Sequence, residues 1–385
     1  MKTTKISTNL FKTLVLGLAV AVTISSCKKE DEPEPLPTPV TPSYTVPTTY
    51  NFSSANFSTS TKRISMLGEL LTYIRTTHSN TVAPVLDEQK LKDMYVNLNN
   101  HFTDSTLNYS GIQLKDKTSG VFYLPAEIEA NFADAVIASQ NASANPTATT
   151  ASNGVAGKLI TGTRYILVDT AGIEYKEYVE KGLMGGIFYY QATTILNTIS
   201  TFDNTTVTGG TTAQERAWDE AFGYFGVPVD FPTNVTGLKN WGSYCNSVSI
   251  ALAGSPTVNS TIMDAWLKGR AAITNKDNTG RDAAKAIVIN TWEKVCAARF
   301  ITYVKGAKTN ISAIATFHHN LSEAIGFIRA FKYNSAKTIS DADIEELLGY
   351  FKTNGSINLY SITTTNLDNA INKMATVFSL NAAIL

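Results

Sequence analysis

The segment FHHNLSEAIGFIRAF, residues 317–331, sets His318 and His319 side by side and places Glu323 four positions beyond the second. Residues four apart share one face of a helix, so His319 and Glu323 can present an imidazole and a carboxylate to one metal ion or polar ligand. His318 points about 100° away round the helix, which leaves one histidine of the two as a ligand. Earlier in the chain, RAWDEAFGYF (216–225) aligns with HNLSEAIGFI (319–328), matching Glu220 to Glu323, Ala221 to Ala324 and Gly223 to Gly326, with Arg216 opposite His319. The match points to an internal duplication. Glycine inside a helix costs about 0.5–1 kcal/mol relative to alanine, so two glycines at matching places suggest close helix contact.

Two readings of these residues follow. In one, His319 with Glu323 and Arg216 with Glu220 are charge-supported pairs that satisfy partly buried carboxylates in a helix-packing seam. In the other, Glu323 and His319 converge with Asp219 and Glu220 from the facing half on a metal ion or polar ligand, as facing helices of bundles can do. Glu177 and Glu180 share a helix face and offer further carboxylates, although such pairs commonly mark a wet face. His78 and His101, near helix ends among polar residues, read as surface. No serine occupies a nucleophile-elbow pattern and no glycine-rich loop follows a strand, so standard hydrolase and nucleotide chemistry finds no support and no catalytic residue is assigned.

The elements that must position these residues are helical. STKRISMLGELLTYIRTTH places Ile64, Leu67, Leu71 and Ile74 on one face, and Asp87 has the position of an N-cap for EQKLKDMYVNLNNHF. RDAAKAIVINTWEKVCAARFITYVK (281–305) is apolar nearly all round, the mark of a helix enclosed by others. TRYILVDTAGIEY is the clearest strand, closed by a turn at Ala171-Gly172 and suited to a hairpin, while residues 141–157 read as a small, polar surface loop. No regular solenoid period is present. The fold class is mostly all-α, a multi-helix bundle with a short strand or hairpin insertion.

Lys2, Lys5 and Lys12 precede an uncharged run from Thr13 to Ser26 that ends in ISSC. A basic head, a short apolar core and small residues form a secretory signal, too short for a permanent span of ~20 residues. Ile-Ser-Ser-Cys resembles the lipobox of bacterial lipoproteins, in which Cys27 becomes the lipidated first residue. Loss of residues 1–26 takes three lysines and no acid from a chain with 32 basic and 32 acidic residues, leaving it mildly acidic. With no basic surplus, nucleic acid is not expected as a partner. Residues 27–50 hold prolines at 33, 35, 37, 39, 42 and 47 and read as an extended tether. Lys-Lys-Glu-Asp-Glu after Cys27 is similar to the acidic export tag of surface-exposed lipoproteins. An outer-membrane, surface-exposed position is expected, with a periplasm-facing one as the alternative. Cys245 and Cys296 can be buried thiols or a pair.

Four motifs in order behind the lipobox, STKRISMLGELLTYI, YVEKGLMGGIFYYQ, WDEAFGYFGVP and LSEAIGFIRAF, resemble an uncharacterised bacterial lipoprotein family (domain of unknown function 4856) across nearly all the chain after the tether. That family is in turn distantly similar to the imelysins, helical outer-membrane or periplasmic proteins associated with iron uptake. The resemblance implies an imelysin-like pair of related helical bundles, with halves at approximately 51–230 and 231–385 of a helical domain 51–385. The imelysin hallmark Gly-x-His-x-x-Glu is replaced here by His319-x-x-x-Glu323.

The leading expectation is a lipid-anchored protein that binds a ligand in the seam between two helical halves, in iron or metal acquisition, and passes it to an outer-membrane transport partner. One alternative is a metal-dependent, peptidase-like hydrolase with Glu220 as base at a Glu323 and His319 site. The other is a non-catalytic surface interaction or carbohydrate-binding module that would use exposed aromatics such as Trp241 or Trp266.

Overall fold

Helical spacing of apolar side chains builds most of this chain, and the order of elements follows from where that spacing is interrupted. The computed structural model describes residues 43–78, 84–122, 125–144, 150–252 and 257–385. The signal segment, Cys27 and the tether as far as residue 42 lie outside the described residues. Tyr44 to Leu385 form one unit. The folded part reaches into the stretch read as tether: the Tyr44 hydroxyl donates to Asp277 Oδ2 at 2.8 Å, and Tyr50 is buried, stacked on Phe222 with ring centroids 3.7 Å apart.

Helix α1 (Ser58–Arg75) buries Ile64, Leu67, Leu71 and Ile74 on one face. Helix α2 (Glu88–Val96) starts where the Asp87 carboxylate accepts from the backbone N–H groups of Gln89 and Lys90, satisfying two donors that a helix start otherwise leaves open. Helix α3 (Pro125–Ala144) runs into the segment read as a loop. Strands β1 (Gly157–Thr161) and β2 (Arg164–Val168) pair antiparallel, with Gly157 opposite Val168 and Thr161 opposite Arg164. Their inner face, with Leu159, Ile166 and Val168, packs on Ala315. Helix α4 (Tyr175–Leu183) continues through a π-helical turn at Met184–Tyr189 into α5 (Tyr190–Asn197).

Next come α6 (Ala213–Phe225), opened by a reciprocal cap between Thr212 and Glu215, then α7 (Asn240–Ser249) and α8 (Val258–Thr274). Helix α9 (Asn278–Thr309) is 32 residues long and packs against α8, α10 (Ile314–Phe331) and α12 (Thr364–Phe378). Those neighbours account for its apolar girth: Val288, Trp292, Val295, Phe300, Ile301 and Val304 are all buried. Between α10 and α12 lie α11 (Asp341–Gly349) and a second small hairpin, β3 (Lys352–Thr353) with β4 (Ser356–Ile357). The protein is therefore mostly helical, with two small antiparallel hairpins among the described residues.

The core is aromatic at its centre. Trp218, Trp241, Trp266 and Trp292 are all buried, and Trp292 meets Trp241 and Phe225 edge to face at 5.7 and 4.9 Å. Trp241 and Trp266 are thus core residues and cannot serve as the exposed aromatics of a carbohydrate-binding surface. Cys245 and Cys296 are buried free thiols; the first donates to Asn259 Oδ1 and the second to the Phe327 carbonyl. Among the described residues, no helix is long and apolar enough to cross a membrane.

Candidate functional site

The two glycines singled out in the sequence lie where helices approach closely. A Cβ on Gly223 would stand 2.7 Å from Phe57 Cβ and 2.7 Å from Ser60 Oγ, so α6 lies directly on the start of α1. A Cβ on Gly326 would stand 2.2 Å from Lys181 Cβ, so α10 lies directly on α4. The glycines therefore serve different helix pairs, and the glutamates near them go to different places.

Asp219 is buried and consumed by a structural network. Its Oδ1 accepts from Arg270 Nε at 2.8 Å and from the Tyr50 hydroxyl at 2.9 Å, while Arg270 NH1 donates to Glu215 Oε1 at 2.7 Å. Glu220 is half-buried; its Oε1 accepts from the Tyr224 hydroxyl at 3.4 Å and its carbonyl from Ser60 Oγ at 2.8 Å. Arg216 does not turn to Glu220 but donates to the carbonyls of Thr208 and Thr211, because the loop before α6 folds back over it. Among the described residues, neither Asp219 nor Glu220 shares a hydrogen bond, ion pair or metal-ligating group with His319 or Glu323.

The partners of His319 and Glu323 come instead from α4 and from the turn that feeds it. His319 Nδ1 lies 2.8 Å from Glu174 Oε2 and 3.5 Å from Glu177 Oε1, and its Nε2 lies 3.9 Å from Glu323 Oε1. Lys181 Nζ lies 2.9 Å from both Glu177 Oε2 and Glu323 Oε2 and 3.2 Å from Glu180 Oε1. Lys176 Nζ contacts Glu177 Oε1 and lies 2.5 Å from Glu180 Oε2. The Tyr244 hydroxyl donates to Glu323 Oε2 at 3.5 Å. Glu177, Glu180 and Glu323 thus share two ammonium groups while Glu174 pairs only with imidazoles, so four carboxylates stand against two ammonium groups, an excess of two negative charges when all four are ionised and the imidazoles are neutral.

Backbone geometry holds Glu174 in place. Asp169 Oδ1 accepts from the N–H groups of Ala171 and Ile173, turning the chain out of β2, and Gly172 sits at φ +86° within that turn. A Cβ on Gly172 would strike the His318 ring at 2.3 Å, where His318 Nδ1 donates to the Gly172 carbonyl at 2.8 Å. The Glu174 N–H then donates to Ser322 Oγ at 2.9 Å. His318 is thereby a fully buried brace for the turn, and His319 is the histidine of the site.

Charge and burial set the proton affinities. Burial opposes ionisation of Glu177, but Lys181, Lys176 and His319 outweigh it and hold the carboxyl well below its usual range. Burial, reinforced by the Glu177 charge, pushes Glu323 up to about 7 despite Lys181. Burial lowers the affinity of His319 for a proton, yet the hydrogen bond and charge of Glu174 with the charges of Glu177 and Glu323 raise it overall. In His78 burial prevails over Glu174 and the pKa falls.

Glu174, Glu177 and His319 each offer one ligand atom, and these atoms lie within 4.8 Å of one another. Imidazole and carboxylate donors bind a transition ion at roughly 2.0–2.2 Å, and here Glu177 Oε1 is held by Lys176 and His319 Nδ1 by Glu174. The three residues line the floor of an open pocket of about 530 Å³. The family described as Domain of unknown function (DUF4856) matches residues 47–381. This chain belongs to that family. No curated protein and no solved structure matches it.

Within this family member, His78, read from sequence as surface, lines the same pocket with its Nε2 3.8 Å from Glu174 Oε1. His101 pairs separately with Asp93. Glu177 and Glu180, whose spacing commonly marks a wet face, are mostly buried. The one signal for Glu174 in the sequence is that Glu174, Glu177 and Glu180 recur at intervals of three, a spacing that keeps carboxylates on neighbouring faces of a helix start.

The raised pKa of Glu323 has a defined consequence for stability. Its folded-state proton is bound more tightly than in the unfolded chain, so the associated stability is complete below about pH 4.5 and is lost as pH rises through about 7. Glu323→Gln keeps the neutral form at every pH. Denaturant unfolding with a chelator present should show the variant gaining on wild type between pH 5 and pH 8; an unchanged difference would show that Glu323 is ionised throughout.

Proposed function

We propose that this protein is a lipid-anchored, ion-binding protein that captures a divalent first-row transition metal through Glu174, Glu177 and His319, with His78 beside them, as a step in metal acquisition. The observation that carries the reading is the convergence of one imidazole nitrogen and two carboxylate oxygens within 4.8 Å at the floor of an open pocket. Mixed nitrogen and oxygen donors suit ions of this class. The excess of two carboxylates over ammonium groups favours a dication at that place, and it is the pocket-lining Lys176 that an arriving ion displaces from Glu177. The imelysin resemblance supports the assignment to acquisition, and handover to an outer-membrane transport partner belongs to the same proposal. Glu220 is not beside this cluster, so the base that a hydrolase reading assigned to it is missing from the site.

Calorimetric titration of chelator-treated protein with Zn²⁺ or Mn²⁺ at pH 7.5 is expected to give one site. Glu174→Gln and His319→Ala should each weaken it at least ten-fold while circular dichroism stays unchanged. Because the ion and a proton compete for His319, whose pKa is raised, affinity should fall from pH 8 to pH 6. No heat of binding in wild type, or unaltered binding in His319→Ala, would refute the assignment.

Anchoring rests on the ISSC sequence ahead of Lys28 and on the proline-rich stretch behind it. Cys27→Ser, expressed in a Gram-negative host, should lose incorporated palmitate and leave the membrane fraction. Retention of both label and membrane association would contradict lipidation at Cys27.

A further inference from the structure

The pocket above the candidate metal ligands is far larger than an ion needs, and its rim has the opposite charge to its floor. A volume of about 530 Å³ falls in the range of small-molecule sites, whereas a bound water occupies about 30 Å³. Glu174 and Glu177 lie at the floor, with the Lys176 ammonium group against Glu177. Arg75, in the last turn of α1, and Arg164, at the start of β2, form part of the rim, and both are exposed. Among the described residues, neither guanidinium makes an ion pair with a carboxylate of the protein.

Three protein donors leave positions open on a four- to six-coordinate ion. A bare anion drawn to the rim would face the two floor carboxylates, and a bare cation would leave the two guanidinium groups without a counter-charge. An ion that arrives already bound to an anion satisfies both. We propose that the ligand of this pocket is a metal ion complexed by a small polycarboxylate, with Glu174, Glu177 and His319 on the metal and Arg75 and Arg164 on the free carboxylate oxygens. Guanidinium suits that role because its planar fork matches a carboxylate in two hydrogen bonds. This inference rests on the metal-binding reading above and names what accompanies the ion.

Citrate is a suitable probe because it has opposite consequences under the two alternatives. If the pocket takes only the bare ion, citrate in solution competes and strips it. If the pocket takes the complex, citrate is retained with the metal.

Equilibrium dialysis with Mn²⁺ and radiolabelled citrate is expected to retain one citrate per protein only when metal is present. The double variant Arg75→Ala/Arg164→Ala, altered at exposed positions, should keep the metal and lose citrate retention at least ten-fold. Metal bound by wild type but released by citrate, or citrate retained equally by the double variant, would overturn this inference and leave the metal reading standing. Failure of wild type to retain metal with or without citrate would overturn both. Citrate retained without metal would also overturn it, by making the rim a plain anion site.

Discussion

The approach of α10 to α4 at Gly326 is the constraint on which the site depends. With no side chain at 326, the stem of Lys181 lies against the α10 backbone, and its ammonium group reaches Glu177 and Glu323 across the seam. A methyl group there would overlap Lys181 Cβ at 2.2 Å and force the helices apart. The same approach brings His319, one turn before Glu323, to the start of α4, where Glu174 and Glu177 wait. Burying four carboxylates in one seam is costly unless charge and hydrogen bonds compensate, so helix spacing and electrostatics are coupled here.

Compensation is incomplete in one direction. Other buried carboxylates are tied off by hydrogen bonds and line no such pocket: Asp219 and Glu215 share Arg270, and Glu293 accepts from Asn334 and the Thr338 backbone. At the α4 and α10 seam, two ammonium groups serve three carboxylates, Glu174 is left to the imidazoles, and Glu323 has a raised proton affinity. That residue of negative charge faces a pocket, whereas the Asp219 network is sealed beneath Tyr50. The difference between a closed and an open network is what distinguishes a candidate site from structural ionic packing.

The helical class, the Asp87 cap, the hairpin before α4 and the burial of α9 were legible in the sequence because each rests on local chemistry or periodicity. Close helix contact at Gly223 and Gly326 was legible too, through their matching places in the two segments. The identity of the partner helix was not. The match suggested that Glu323 would meet Glu220, but Gly223 lets α6 down on α1 while Gly326 lets α10 down on α4, a choice made by tertiary packing. Glu174 escaped notice because its place depends on the Asp169 turn and on His318 and Ser322, contacts separated by well over a hundred positions in the chain. His78 escaped for the same reason: a histidine at a helix end reads as solvated until β2 and α4 close around it.

Anomalous diffraction from crystals soaked in Mn²⁺ or Zn²⁺ tests the central claim most directly. The expected result is a single strong peak bounded by Glu174, Glu177 and His319, at about 2.0–2.3 Å from one atom of each. A peak at another carboxylate cluster with this one still closed by Lys176 and Lys181, or no peak at saturating metal, would contradict it and return the seam to the role of ionic packing.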